Sequence, residues 1–276
     1  MAVHFLEGCR GIIAVAGLAR SGTSWIGQIV DSSPDARFRF QPLFSYAFKN
    51  ALNEDSSKDE MEKFFADIFS STDDFLLQTD KRRSEIYPVF RKNATVSHLA
   101  FKENGNQYVI PRMMQFVEPL KLLGVVRHPC GALNSWIRNQ KEFPSGADPR
   151  KEWRFGGCKN EGKAENFFGY YKWKEVANLY LDLRDKYPGR VYIARYDEVV
   201  DDPFTQVKQI FDFLSLDYTD QTNTFLKDSQ EKHQENPYSV FKNRCVKDKW
   251  KFELDPYISS EVLYDLAGTR LEMFIR

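Results

Sequence analysis

The sequence predicts an α/β protein with a three-layer P-loop-like fold, in which a mostly parallel central sheet is flanked by helices. Two observations predict this class. Short, continuously apolar runs with β-branched residues alternate with amphipathic helical patterns, and a glycine-rich turn directly follows the first run. No repeat or long low-complexity tract interrupts the alternation, so residues 1–276 are expected to form a single domain.

Four segments are predicted as strands because each is short, apolar and followed by a helical pattern. The first has Gly17 at its end, as expected of a central strand that is covered on both faces. The four segments are residues 12–16, 97–101, 120–126 and 190–195.

Apolar residues at three- and four-residue spacings predict three helices. The first begins at Thr23 or Ser24 and ends at Val30, the longest covers 165–187 and stops at Pro188, and the third covers 203–214. Two charged, weakly patterned stretches, 53–62 and 143–162, are expected to be surface insertions or lids.

Composition excludes several classes of protein. The 39 Lys and Arg residues balance 39 Asp and Glu residues, so binding through bulk attraction to nucleic acid or to an anionic membrane is not expected. No stretch approaches the length of a membrane span, and the first ten residues do not resemble a secretion signal. The widely separated cysteines predict neither a metal site nor a disulfide framework, and they favour a reducing cytoplasm: Cys9, Cys130, Cys158 and Cys245.

The turn after the first strand, residues 17–24, matches the phosphate-binding pattern G-x-x-x-x-G-K-[ST] at every position but one, because Thr23 replaces the Lys. Backbone amides at such a strand-to-helix turn still form an anion cradle. Without the Lys, and without an apolar strand that ends in Asp, neither a triphosphate nor magnesium is expected. The turn therefore predicts a site for one phosphoryl-like group near Arg20, unless it is only a tight connection.

The segment Arg20-Ser21-Gly22-Thr23-Ser24-Trp25 resembles the 5′-phosphosulfate loop of sulfotransferases, which use 3′-phosphoadenosine 5′-phosphosulfate (PAPS). The resemblance implies that all six residues contact the cofactor and that Trp25 stacks on adenine. A core residue on a helix face is the alternative for Trp25.

A second match lies about 107 residues further along the chain. Arg127 follows the 120–126 strand and Ser135 lies in the next predicted helix, an arrangement that resembles the 3′-phosphate site of the same enzymes. The alternative is a surface Arg with an unrelated helix Ser.

Two later segments resemble the family as well. Residues 191–203 are similar to its late strand and acidic turn, where the tyrosine that matches Tyr196 contacts adenine; a core side chain is the alternative. Residues 241–251 resemble the basic segment that closes over the 3′-phosphate, which implies roles for Lys242 and Arg244. Asn243 and Cys245 depart from that pattern, and a solvated basic face is the alternative.

Together these segments imply a bacterial-type sulfotransferase that moves a sulfuryl group from PAPS, in line, to a hydroxyl or amine without a metal. The product would be adenosine 3′,5′-bisphosphate (PAP), and the small-molecule, carbohydrate or lipid acceptor stays unidentified. The alternatives are a P-loop kinase of a small molecule and a catalytically weak nucleotide-binding homologue. The sequence leaves the oligomeric state open.

The catalytic residues are inferred from this chemistry. Arg20 is placed to stabilise charge on the leaving phosphate. Where carbohydrate- and tyrosine-sulfating relatives often have a Glu, this chain has Gln41, and an amide is not a general base. Glu103, at the carboxyl end of a strand, is the preferred base, and His98 is the second candidate. Lys102 is either a neighbour that steadies the sulfuryl oxygens or a surface charge.

Overall fold

Five parallel strands form the centre of the protein, which is described by a computed structural model over residues 9–242 and 247–276. They are β1 (Gly11–Ala16), β2 (Ala36–Phe40), β3 (His98–Glu103), β4 (Leu120–Val126) and β5 (Val191–Arg195). Their order in the sheet is β2-β3-β1-β4-β5, and every neighbouring pair is parallel. The predicted α/β class with a parallel sheet is therefore confirmed.

Helices cover both faces of this sheet, as a parallel sheet with apolar strands requires. They are α1 (Thr23–Asp31), α2 (Lys58–Ser70), α3 (Asp74–Leu77), α4 (Thr79–Arg83), α5 (Ile110–Phe116), α6 (Pro129–Ile137), α7 (Pro149–Glu152), α8 (Gly157–Asn160), α9 (Tyr170–Lys186), α10 (Tyr196–Asp201), α11 (Pro203–Leu214), α12 (Asp220–Glu231), α13 (Trp250–Glu253) and α14 (Pro256–Leu266).

The two faces of the sheet carry separate apolar cores because successive side chains of a strand point in opposite directions. In β1, Ile12 and Ala14 pack into one core, whereas Ile13 and Val15 pack into the other. The first core includes α2, α6 and α9, and the second includes α1, α11 and α12. Loops at the carboxyl ends of the strands are thereby held by packing from both sides.

The edge strand β2 was not predicted from the sequence. Its apolar residues alternate with Arg37 and Arg39, which is the pattern of a half-buried strand, yet Arg39 is only 5% exposed. The Arg39 guanidinium donates hydrogen bonds to the carbonyl oxygens of Ile68 (2.6 Å) and Phe69 (2.7 Å) at the end of α2. The Arg39 charge is thus buried against carbonyl oxygens at the helix end that have no hydrogen-bond partner within the helix. These contacts form only in the tertiary structure.

Other predicted boundaries shift for local reasons. The prediction of 203–214 agrees with α11, but α9 begins at Tyr170 rather than near 165, because Gly169 before it has a φ of 92°. The predicted insertion 53–62 runs into α2, which starts with a capping box between Ser57 and Glu60. The insertion 143–162 contains α7, α8 and the buried Trp153, so it is packed against the core as well as exposed.

Candidate functional site

A cavity of about 780 Å³ opens at the carboxyl edge of the sheet, where open α/β sheets bind ligands. Residues that end or follow three neighbouring strands line it: Arg20 after β1, Glu103 in β3 and Arg127 after β4. Tyr196, directly after β5, completes this wall. The parallel sheet therefore brings together side chains that lie far apart in the sequence.

The turn between β1 and α1 has the backbone of an anion-binding loop. Arg20 and Gly22 adopt left-handed φ values of 71° and 88°. Gly22 is the N-cap of α1 and provides no side-chain cap, so the first amides of the helix point towards the cavity without that partner. A Cβ atom at Gly22 would lie 2.3 Å from the Tyr196 ring, so only glycine fits there.

Arg20 joins the two predicted anion sites. Its Nε donates a hydrogen bond to Ser135 Oγ over 3.1 Å, and Arg127 Nη1 donates to the Arg20 carbonyl oxygen over 3.2 Å. Glu142 Oε1 lies 3.7 Å from Arg20 Nη1. The loop, the strand-end Arg127 and the helix residue Ser135 thus form one contiguous group.

Two aromatic rings lie beside this group. Trp25 and Tyr196 meet edge to face with centroids 6.0 Å apart, and the Arg127 guanidinium lies 5.0 Å from the Tyr196 ring centre. Trp25 is 8% exposed, lines the cavity, and donates a hydrogen bond from Nε1 to Ser229 Oγ. Trp25 is therefore a packed helix residue that still presents part of its ring to the cavity.

Glu103 and Lys102 form a buried pair of titratable groups at the end of β3, each 2% exposed. Burial raises the pKa of Glu103 to about 7, although Lys102 and the amides of Leu43 and Asn104 act in the opposite direction. Burial lowers the pKa of Lys102 to about 7, and its ammonium lies 4.3 Å from the Phe40 ring centre. The alternative that Lys102 is a surface charge is wrong, because the fold encloses its side chain.

His98 lies elsewhere. It is the first residue of β3, so it lies at the amino ends of the strands, opposite the main cavity. There it lines a smaller cavity with Arg10 and Lys121. Its Nδ1 is hydrogen-bonded to Ser97 Oγ at 3.0 Å, and burial lowers its pKa. The structure therefore does not bring His98 together with the other predicted site residues.

The remaining predicted residues fall into three groups. Thr23, Ser24 and Lys242 line the cavity, and the Lys242 amine donates to the carbonyl oxygens of a preceding loop. The Ser21 side chain is 1% exposed and does not line the cavity. Arg244, like its neighbours Asn243 and Cys245, lies outside the described residues.

Sequence reasoning missed several lining residues. Asn104 directly follows β3, and its Oδ1 accepts a hydrogen bond from Thr23 Oγ1 over 2.7 Å. The rule that selected Arg127, a polar residue just past a strand, would also have selected Asn104. Lys81, Tyr87 and Glu142 carried no such signal, because none of them lies directly after a predicted strand.

This arrangement can bind an anion beside a group that can accept a proton. Arg20, Arg127 and the N-terminus of α1 carry the positive charge and amide donors that suit phosphoryl or sulfuryl oxygens. A carboxyl group whose pKa is near 7 suits proton transfer at neutral pH. Within residues 9–242 and 247–276, no group of three or more His, Cys, Asp or Glu side chains is placed to hold a metal ion.

Comparisons with known proteins agree with this geometry. A family model described as "Sulfotransferase family" matches residues 13–220. No curated protein matches the sequence.

Solved structures of the same fold include a mouse sulfotransferase complexed with PAP, with a TM-score of 0.53, 14% identity, and coverage of 96% of this chain and 88% of that chain. Retinol dehydratase, in a complex with retinol and PAP, has a TM-score of 0.55 at 13% identity, with coverage of 97% and 87%. A sulfotransferase domain from the curacin biosynthetic pathway has a TM-score of 0.51 at 16% identity, with coverage of 93% and 97%. At these identities the likeness establishes a shared fold.

Proposed function

Because this chain belongs to the sulfotransferase family, we propose that it transfers a sulfuryl group from PAPS to a hydroxyl or amine of a small-molecule, carbohydrate or lipid acceptor. PAPS supplies a sulfuryl group that is activated by its bond to the 5′-phosphate. The chain itself has to bind two anionic ends of the nucleotide, orient the acceptor and remove its proton.

One observation carries the nucleotide part of this proposal. The glycine loop after β1 and the Arg127–Ser135 pair resemble sites for two different phosphates of one nucleotide, and Arg20 touches both partners of that pair. The first amides of α1 lack a side-chain cap, which fits an anionic ligand, and the Gly22 backbone lies against the Tyr196 ring. We assign the loop to the 5′ end, and Arg127 with Ser135 to the 3′-phosphate. Trp25 and Tyr196 are assigned to adenine.

The catalytic part rests on burial and charge. Arg20 donates to the leaving phosphate oxygen, where negative charge grows as the S–O bond breaks. Protonated Lys102 steadies the sulfuryl oxygens from inside the cavity. Glu103 accepts the proton of the attacking hydroxyl or amine, and its pKa near 7 makes the carboxylate available at neutral pH. Gln41, which also lines the cavity, lacks a titratable group for this step.

The other functions considered make different predictions. The family match favours a sulfotransferase over a P-loop kinase. A catalytically weak homologue would bind PAP without turning over any acceptor. A kinase would require magnesium and bind ATP in preference to PAP.

Calorimetry in EDTA tests the nucleotide assignment. We expect PAP to bind without metal and much more tightly than ATP or adenosine 5′-phosphate, because only PAP carries the 3′-phosphate. Equal affinity for adenosine 5′-phosphate would contradict the assignment. Mass spectrometry of an acceptor library incubated with PAPS then tests turnover, and PAP binding without any sulfated product would favour the weak homologue.

We also propose a cytoplasmic location, which rests on the scattered cysteines of the sequence. Cys9, Cys130 and Cys158 form no disulfide in the structure. Along the parts of the chain that are described, every helix is too short or too polar to cross a membrane.

A further inference from the structure

Lys81 places a positive charge on the cavity wall, and no carboxylate among the described residues forms an ion pair with it. Its ammonium projects from α4 to within 4.5 Å of the Phe40 ring centre, 4.8 Å of Tyr87 and 5.8 Å of Tyr238. Burial lowers its pKa to about 8. Across the described residues, its amine makes no hydrogen bond or ion pair, so the rings are its only partners there.

This charge lies close to a second one. The ammonium of Lys102 contacts the same Phe40 ring, and repulsion from Lys81 adds to the lowering of the Lys102 pKa. Two like charges beside one ring destabilise each other unless an anion lies between or beside them. Glu103 and Glu142 both partly offset the charge of Lys102, but no ion pair joins either carboxylate to Lys81. A ligand is therefore the natural source of the missing negative charge.

The donor nucleotide already has its own cations. Arg20, Arg127 and Lys242 surround the proposed phosphate positions, and Lys102 is assigned to the sulfuryl group. Lys81 is additional to this set and reaches the cavity from a separate segment, α4, that no phosphate motif includes. Its position beside Lys102 puts it next to the point of transfer, where the acceptor must enter.

An aromatic wall leads outwards from the two lysines. The Phe40 and Phe75 rings are 5.5 Å apart, and the Phe75 and Phe44 rings are 6.0 Å apart. Phe44 is 65% exposed and Phe75 is 36% exposed, although all three rings line the cavity. The cavity thus has a cationic inner end and an apolar outer wall, which fits a ligand with a charged head and an apolar body.

We propose that the acceptor is an anionic amphiphile and that Lys81 binds its negative group, a carboxylate. The acceptor hydroxyl lies in the same head, within reach of Glu103, and the apolar body extends along Phe75 and Phe44. This inference rests on the proposed function, because it concerns the acceptor half of the same cavity.

The test uses pairs of probes in which a methyl ester removes the negative charge of the acid. Phenyllactate and 3-hydroxydecanoate each carry a hydroxyl near a carboxylate and an apolar body, and their methyl esters lack the charge. Binding to the PAP-saturated full chain is measured by calorimetry, and sulfation with PAPS is measured by mass spectrometry. We expect at least one acid to bind at least tenfold more tightly than its ester and to be sulfated in preference.

Variants of α4 assign the effect to Lys81. Lys81→Gln is expected to remove the preference for the acid while PAP affinity stays unchanged, and Lys81→Arg is expected to retain it. Arg83→Gln is the control on the same helix, because its side chain is 77% exposed. This control should keep the wild-type preference.

The outcomes separate the two proposals. Failure of the wild type to bind PAP overturns the proposed function and, with it, this inference. If PAP binds but the esters equal the acids, or if neither acid binds, the inference is overturned and the sulfotransferase proposal survives. If Lys81→Gln weakens PAP binding as much as acid binding, Lys81 serves the donor and the inference is also overturned.

Discussion

Glu103 shows how one residue acquires a functional property from its surroundings. A carboxyl group in water is ionised well below neutral pH, but burial at the end of β3 raises the pKa of Glu103 to about 7. Burial also lowers the pKa of Lys102 to about 7. Small changes of charge in the cavity therefore change the protonation of both groups near neutral pH.

The first prediction concerns the base. Glu103→Gln should lower turnover by about a hundredfold or more and leave PAP affinity unchanged, because the amide keeps the shape and loses the basicity. In the wild type, the rate should pass through a maximum near pH 7, since Glu103 has to be ionised and Lys102 protonated, and the pKa of each is about 7. Steady-state rates between pH 5.5 and 8.5 measure both effects.

His98→Ala is the companion variant, since His98 lies at the opposite edge of the sheet. It should change thermal stability but not the pH dependence of the rate. An active Glu103→Gln enzyme beside a folded, inactive His98→Ala enzyme would transfer the role of base to His98.

A second prediction concerns Arg127. Arg127→Ala should weaken PAP binding by about 1.5 to 3 kcal/mol, as expected for the loss of a charge-assisted hydrogen bond to phosphate. Affinity for adenosine 5′-phosphate should change much less, because that ligand lacks the 3′ group. Calorimetry with both nucleotides gives the comparison, and an equal loss for the two would remove Arg127 from the 3′ site.

The third prediction concerns Trp25, whose ring is packed by Tyr196 and Ser229 and yet lines the cavity. PAP should quench tryptophan fluorescence in the wild type, and the quenching should disappear in Trp25→Phe while circular dichroism stays unchanged. Quenching of the wild-type size in Trp25→Phe would assign Trp25 to the core alone.

At the scale of elements, the β1–α1 turn depends on the absence of one side chain. The φ of 88° at Gly22 is costly for other residues, and a Cβ atom there would overlap the Tyr196 ring. Gly146 has the same φ of 88°, but nothing lies within 4 Å of its Cβ position. An alanine at position 146 would therefore introduce backbone strain alone, whereas an alanine at position 22 would add a steric clash.

The fourth prediction uses this pair. Gly22→Ala should abolish measurable PAP binding, because backbone strain and the displaced Tyr196 ring both disrupt the loop. Gly146→Ala should lower the free energy of unfolding by about 1 kcal/mol or more and leave PAP binding unchanged. Calorimetry and thermal melts of both variants provide the test. Unaltered PAP affinity in Gly22→Ala would show that the loop conformation does not matter for binding.

At the scale of the whole molecule, one sheet connects all parts of the proposed site. The strands β1, β3, β4 and β5 contribute to the cores on both faces, so we propose that residues 1–276 unfold as one domain. Ligand binding to the folded state should then stabilise the molecule as a unit.

The fifth prediction follows from this linkage. PAP at a hundredfold excess over its Kd should add about 2.7 kcal/mol to the free energy of unfolding and raise the midpoint of a single transition. Differential scanning calorimetry with and without PAP measures the shift. Two transitions, of which PAP moves only one, would contradict the single-domain proposal.

The sequence by itself determined the α/β class, four of the five described strands and the glycine turn between β1 and α1, because these depend on local patterns: apolar runs, helical spacing and turn residues. It also placed Arg127 and Glu103 at strand ends, where the geometry of a parallel sheet makes the carboxyl edge the binding edge. The short alternating run of β2 was not predicted as a strand, and the contact of its buried Arg39 with carbonyl oxygens of α2 is visible only in the tertiary structure.

Only the tertiary structure decided which of the candidate site residues lie close together. It placed His98 and Glu103 at opposite edges of the sheet, although they belong to the same strand, and joined Arg20 to Ser135 across 115 residues. It also enclosed Lys102 and brought Lys81 to the same aromatic ring. Burial and the distances between charges depend on contacts between distant segments, and no local pattern in the sequence encodes them.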